Sequence, residues 1–194
     1  VPRKTDPKNH ERVLDVAADL FRVEGFDAAT MQQLADRLGL HKSSLYHYVD
    51  GKEELLEKLT GDAQETAERD LEIAEKDPTR GFLLALEMAI EQTLGDLGRT
   101  SLVLRQKPGT PTSDAVVERR RAYDRRLADL IKRGQSTGAI RDDIHPMLLA
   151  RLTLGMVSWL VEWYDPELSR FSPEEIRKAA MALVTEGVVG AARD

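Results

Sequence analysis

Residues 30–55 read TMQQLADRLGLHKSSLYHYVDGKEEL, and this stretch decides the fold. Thr30 is a favourable N-cap and Gln33, three positions on, can return a side-chain bond, so a capping box opens a short helix. Met31, Leu34, Ala35 and Leu38 recur at helical spacing and give it one buried face. Gly39 ends it, because glycine takes the left-handed C′ conformation without a Cβ penalty, and a second helix can start within a few residues. Leu40, Leu45 and Val49 turn that second helix inward. Lys42, Ser43, Ser44 and His47 face outward, and with Tyr46 and Tyr48 they place short polar and aromatic groups where a surface helix ordinarily carries long charged ones. Such a set can bond phosphates and base edges and touch thymine methyls, the layout of a helix-turn-helix that reads DNA. Asp50 is expected to cap the next helix with Glu53 at N3, and Lys52 falls in its first turn, where a cation opposes the helix dipole. A phosphate partner would account for it.

The run ATMQQLADRLGLHKSSLYHYVDGKEEL from Ala29 resembles the DNA-binding signature of the TetR/AcrR family of bacterial transcriptional regulators. Upstream, RVLDVAADLF (Arg12 to Phe21) and EGFDAAT (Glu24 to Thr30) resemble that family's first helix and its turn. Beyond the head the similarity rests on helical layout and short motifs. The resemblance implies an all-α protein of about nine helices. Residues 1–52 would form the helix-turn-helix DNA-binding domain and residues 53–194 the ligand-binding and dimerisation domain. It places Lys42, Ser43, Ser44 and His47 near bases and Thr30, Tyr46, Tyr48 and Lys52 on phosphates, with Gln32 and His41 also at the DNA face. His41 departs from the family, which usually has serine there; a histidine is a weaker N-cap, or it touches the DNA itself.

Composition fits but does not decide. A chain of 194 residues suits one or two domains with a substantial core. It has no cysteine, which excludes disulfides and thiolate zinc sites and fits a reducing cytoplasm. No apolar run is long enough to span a membrane, VPRKTDPKNH lacks a signal peptide's apolar core, and a start at Val1 suggests that residues precede it. The net charge of −6 opposes DNA, so attraction must be local, with Arg3, Lys4, Lys8, Lys42 and Lys52 as candidate phosphate contacts.

The rest reads as helices. Asp6-Pro7 caps the first, with Leu14, Ala17, Ala18 and Phe21 as its inner stripe. A long helix is expected from Gly51 to Lys76, another opening at Asp77-Pro78, and a short one from Ser101 to Gln106. Thr112 or Ser113 should cap a helix to Gly134, followed by one from Met147 to Tyr164. Ser172-Pro173-Glu174-Glu175 opens the last with a capping box and proline at N1.

The last two helices carry Leu148, Leu149, Leu152, Leu160 and Trp163, then Ile176, Ala180, Leu183, Val184, Gly187 and Val188, with Ala179 and Gly190 as further small residues that permit close approach. From the residues alone this surface either completes a monomer core or forms a four-helix dimer bundle; the resemblance favours a homodimer on a palindromic operator. Helices between Phe82 and Trp163 are expected to hold a small-molecule effector, with Phe82, Leu86, Arg105, Tyr123, Arg151, Met156, Trp159 and Trp163 as contacts. Arg151 interrupts an apolar run, where a guanidinium needs an anion, a protein carboxylate or a route to solvent. SWLVEWYDP is similar to a tail of lipid- and sterol-catabolism regulators, implying an acyl-CoA thioester as effector.

An enzyme is the main rival class. Phosphate-binding and nucleophile-elbow glycine motifs are absent, His10, His41, His47 and His145 lack metal-ligand spacing, and no cofactor or metal is expected. A helical adaptor that binds proteins and never touches DNA is the second rival.

Overall fold

The computed structural model describes residues 7–188. Among them are nine α-helices and no β-strand. In chain order these are α1 (Pro7–Glu24), α2 (Met31–Leu38), α3 (Lys42–Leu45), α4 (Lys52–Ala74), α5 (Gly81–Gly95), α6 (Leu97–Arg105), α7 (Pro111–Ser136), α8 (Pro146–Trp163) and α9 (Pro173–Val188). Two compact units divide the chain: one takes residues up to Ala63 together with Leu97–Val117, the other takes Gln64–Asp96 and the residues from Glu118 onward. The sequence boundary at residue 52 thus lies inside the first unit. Among the described residues no helix is long and apolar enough to cross a membrane.

In the first unit both caps expected for α2 are formed. The Gln33 amide donates to Thr30 Oγ1 (3.2 Å) while the Thr30 amide donates to Gln33 Oε1 (2.8 Å), closing the capping box on α2. Gly39 sits at φ 69° and donates to the Asp36 carbonyl, and the Leu40 amide donates to the Ala35 carbonyl, the two bonds of a Schellman turn. Leu14, Ala17, Ala18 and Phe21 of α1 close on Leu34, Leu45, Leu55 and Leu59, all buried. One cap is shifted: Glu54, not Glu53, accepts the Asp50 amide. Asp6 lies outside the described residues.

Helix α6 also packs in this unit, against α1. Leu102 joins the core, and Gly98 lies so near Ala18 that an added Cβ would stand 3.0 Å from the Ala18 Cβ. Arg99 adds bonds to Glu11 (2.7 Å) and Asp15 (3.1 Å). The glycine opposite a small alanine permits the close approach.

In the second unit α4 and α7 are joined by two forked ion pairs. Arg119 bonds both carboxylate oxygens of Glu68 (2.8 and 2.9 Å), and Arg126 both of Glu75 (2.8 and 2.7 Å). Both pairs span 51 residues, so the two helices run in the same direction and the contact repeats. These hydrogen bonds hold the Glu68 and Glu75 carboxyls below the ordinary glutamate value of 4.5. A carboxyl depressed on folding contributes its full stabilisation above that value and loses it as pH falls through the folded pKa. Glu68→Gln/Glu75→Gln is therefore expected to flatten the decline of Tm between about pH 5 and pH 3. An acid limb as steep as the wild type's would mean that the pairs add no stability.

Several helix starts differ from the sequence reading; α6 opens at Leu97, four residues before the expected Ser101. Asp77 Oδ1 accepts the Thr79 and Arg80 amides (2.9 and 2.7 Å), so Asp77-Pro78 forms a turn and α5 begins only at Gly81. Gly81 is required there, since a Cβ would lie 2.5 Å from the Ala74 carbonyl oxygen. Thr110, rather than Thr112 or Ser113, caps α7: its Oγ1 accepts the Ser113 amide (3.2 Å) and Pro111 follows at N1. His145 caps α8, its Nδ1 accepting the Met147 amide (3.2 Å). The box on α9 forms as expected, Ser172 amide to Glu175 (2.8 Å) and Glu175 amide to Ser172 Oγ (3.2 Å).

Candidate nucleic-acid interface

The reading segment stands on a fixed base. Leu45 and Val49 are buried, Leu40 and Tyr48 pack partly buried on the same core, and the side chains between them point away from it. Helix α3 is only four residues long, so Val49, read as an inward residue of this helix, lies beyond its end. After Leu45 the His47 and Tyr48 amides bond three residues back, to Ser44 and Leu45 (3.2 and 2.9 Å), so the chain tightens into turns. His41 holds the N-cap position in extended geometry without a side-chain cap bond, in keeping with a weak capping residue.

His41, Lys42, Ser43, Tyr46 and His47 are exposed, and Ser44 and Tyr48 are half-buried. Thr30 and Gln32 are exposed on α2, where Gln32 bonds Asp36 (2.8 Å). All these residues belong to the first compact unit. Much of that unit's positive charge is already engaged: Arg22 pairs with Asp19 (3.0 Å), Arg37 with Asp19 and Glu24 (3.6 and 3.4 Å), and Lys58 with Glu54 (2.7 Å). Lys42 is exposed, and no carboxylate pairs with it among the described residues. Arg3 and Lys4, and the side chain of Lys8, lie outside what is described.

Lys52 has partners within the chain that the sequence reading did not name. Its ammonium donates to the carbonyls of Phe26 (2.7 Å), Asp27 (3.2 Å) and Ala29 (2.9 Å) and stands 4.6 Å from the centre of the Phe26 ring. Three donors meet three acceptors, so in this structure carbonyls of the chain itself satisfy the cation in the first turn of α4. Sequence reasoning missed these partners because they lie in the α1–α2 turn, and the one available signal was the unfavourable dipole position itself.

The expected effector residues do not come together as one group. Phe82 and Leu86 are buried on the inner face of α5. Tyr123 on α7 has its phenol pushed well up, first by burial and then by the charges of Asp70 and Asp124. Burial likewise raises the Asp70 and Asp124 carboxyls. Arg105 belongs to the first unit and donates to the Arg22 carbonyl (3.1 Å). Arg151 is exposed, so no burial cost calls for an anion, and its charge acts on Asp124.

Met156, Trp159 and Trp163 instead line an apolar groove of about 480 Å³ between α8 and α9, with Phe171, Ile176 and Leu183 opposite. Helix α8 buries Leu149, Ala150, Thr153 and Val157 against its own unit and leaves a second apolar stripe outside. Leu148, Leu152 and Trp159 are 52, 60 and 64% exposed, and Leu183 on α9 is 69% exposed. So large an exposed apolar surface is unusual for a monomer.

Comparison with known proteins agrees with this geometry. Residues 13–59 match the bacterial regulatory proteins of the tetR family, and residues 75–188 match the tetracyclin repressor-like C-terminal domain. The HTH-type transcriptional repressor KstR2 of Mycolicibacterium smegmatis is 25% identical over 186 residues, covering 92% of this chain and 89% of its own. The crystal structure of SCO3833, a TetR regulator family member from Streptomyces coelicolor A3, is 34% identical with a TM-score of 0.81, covering 90% of each chain. AibR, solved with isovaleryl coenzyme A and operator DNA, shares the fold at a TM-score of 0.76 and 22% identity, over 90% of this chain and 96% of that one. With a capped helix-turn-helix at its amino end and a C-terminal domain match over more than half its length, the chain belongs to the TetR family of DNA-binding transcriptional regulators.

Proposed function

We propose that this protein is a cytoplasmic homodimeric repressor that holds a palindromic operator when unliganded and is released by a small hydrophobic effector of the acyl-CoA type. The observation that carries the reading is one chain with both a rigid head displaying His41 to Tyr48 and an unpartnered apolar stripe on α8 and α9. Two copies joined along that stripe form a four-helix bundle, and their two-fold axis matches a palindrome read in successive major grooves. Lys42, Ser43, Ser44 and His47 face bases, with Lys42 also a candidate phosphate contact, while Thr30, Gln32, His41, Tyr46 and Tyr48 reach the backbone.

Met156, Trp159 and Trp163 then serve the partner-facing groove, and Phe82, Leu86 and Tyr123 remain the effector contacts. Burial raises the Tyr123 phenol further above its ordinary value, so its hydroxyl stays protonated and can donate to an effector carbonyl. The isovaleryl coenzyme A complex of AibR supports the thioester class. Residues 52–63 of α4 belong to the head and 64–74 to the second unit, so displacing this helix alters the spacing of the two heads. A hundredfold release needs about 2.7 kcal/mol of coupling.

The test is retardation of a palindrome from the protein's own promoter region, with acyl-CoA thioesters added in turn. Loss of the complex with a thioester and not with free coenzyme A supports the reading; a complex indifferent to every thioester rejects the effector class and leaves DNA binding standing. Lys42→Ala should lower the slope of log K against log salt by about 0.9 for each bound subunit without moving Tm. Fluorescence anisotropy at several salt concentrations measures it, and an unchanged slope removes Lys42 from the phosphate contacts.

A further inference from the structure

We infer that Lys52 is a positioning residue of the DNA-reading head, acting on the α1–α2 turn and not on a DNA phosphate; the inference rests on the DNA-binding role proposed above. The three carbonyls it binds, those of Phe26, Asp27 and Ala29, belong to the turn that delivers the chain to Thr30 and α2. No backbone amide among the described residues occupies them. An unpaired carbonyl that is partly buried favours any conformation that rehydrates it, so without the ammonium the turn opens toward water. The ring of Phe26 ties the same turn to the core from the other side, edge-on to Phe21 at 5.2 Å and under the ammonium at 4.6 Å. Lys52 is the first residue of α4. It therefore fixes the entrance of α2, with its backbone-facing Thr30 and Gln32, to the start of the helix that leaves the head.

The ammonium suits this task where a guanidinium does not. Three N–H bonds diverge from one small centre on a flexible stem and converge on three carbonyls of one turn. The arginine fork is planar and larger, and its geometry fits two oxygens of one acid group. A phosphate contact tolerates either cation. The two roles thus differ in their response to arginine and to salt.

The experiment compares wild type, Lys52→Met and Lys52→Arg by fluorescence anisotropy on the operator across a salt series, at a temperature where circular dichroism shows each folded. The positioning role predicts that both variants lose about tenfold or more in affinity. It also predicts that they keep the wild-type slope of log K against log salt. A slope lowered by about 0.9 per subunit in Lys52→Met and restored in Lys52→Arg overturns it in favour of a phosphate contact. Wild-type affinity in Lys52→Met overturns it as well. Should either variant fail to fold, the ammonium resonance of Lys52 in wild-type protein decides: slow hydrogen exchange before and after operator addition supports the inference, and a resonance seen only with DNA rejects it. If wild type binds no duplex while that resonance is protected, the DNA-binding reading fails and the turn clamp alone stands, without the positioning role.

Discussion

Leu45→Ala is expected to give a protein that still dimerises but no longer retards its operator. Leu45 is fully buried and closes α3, a helix only four residues long. So short a helix has no stability of its own, and His41 supplies no side-chain cap, so the reading segment is held by tertiary packing through Leu45 and Val49. Truncating a buried leucine costs about 2–5 kcal/mol. In a small unit that is a large share of the total stability, and the loss falls directly beneath the side chains that face DNA. Size-exclusion chromatography with light scattering and operator anisotropy would together check it. Affinity within about threefold of wild type, a difference under 1 kcal/mol, would show that the segment is not held as described.

Trp159→Glu/Leu183→Glu is expected to produce a folded monomer with at least about a hundredfold weaker operator binding. Both side chains are largely exposed in the single chain and line the α8/α9 groove. Burying each is worth about 1.5–3 kcal/mol, counted twice in a symmetric pair, and a glutamate in its place must also be stripped of water. Loss of the pair removes the second head from the operator, and with it the gain from binding two half-sites at once. Sedimentation velocity reads the oligomeric state directly. A variant that remains dimeric at micromolar concentration would place the interface elsewhere.

What the sequence made legible was local. The Thr30–Gln33 box, the Gly39 turn and the Ser172–Glu175 box were readable because each depends on residues no more than a few positions apart. The inner stripe of α1 was readable because one face alone is apolar. Helix α8 was harder, since it is apolar on two faces: Leu149, Thr153 and Val157 turn inward while Leu148 and Leu152 turn out with Arg151. Periodicity cannot separate such faces, so the linear run left open whether Arg151 meets an anion, a protein carboxylate or solvent.

Contacts between distant residues were not legible. Lys52 finds acceptors 23 to 26 positions earlier, Arg119 and Arg126 find partners 51 positions away, and Arg99 reaches 88 positions back to Glu11. The placement of α6 on α1 turns on a glycine meeting a small alanine, a signal that exists only once the helices are beside each other. In the head, where local rules dominate, expectation and structure differ mainly in the length of α3 and in the partners of Lys52.

Anisotropy of the wild-type protein on a palindrome recovered by selection from random DNA, against a scrambled duplex of equal composition, tests the central claim most directly. At physiological salt the account predicts a preference of about a thousandfold or more for the selected palindrome. Equal affinity for the two duplexes would contradict it.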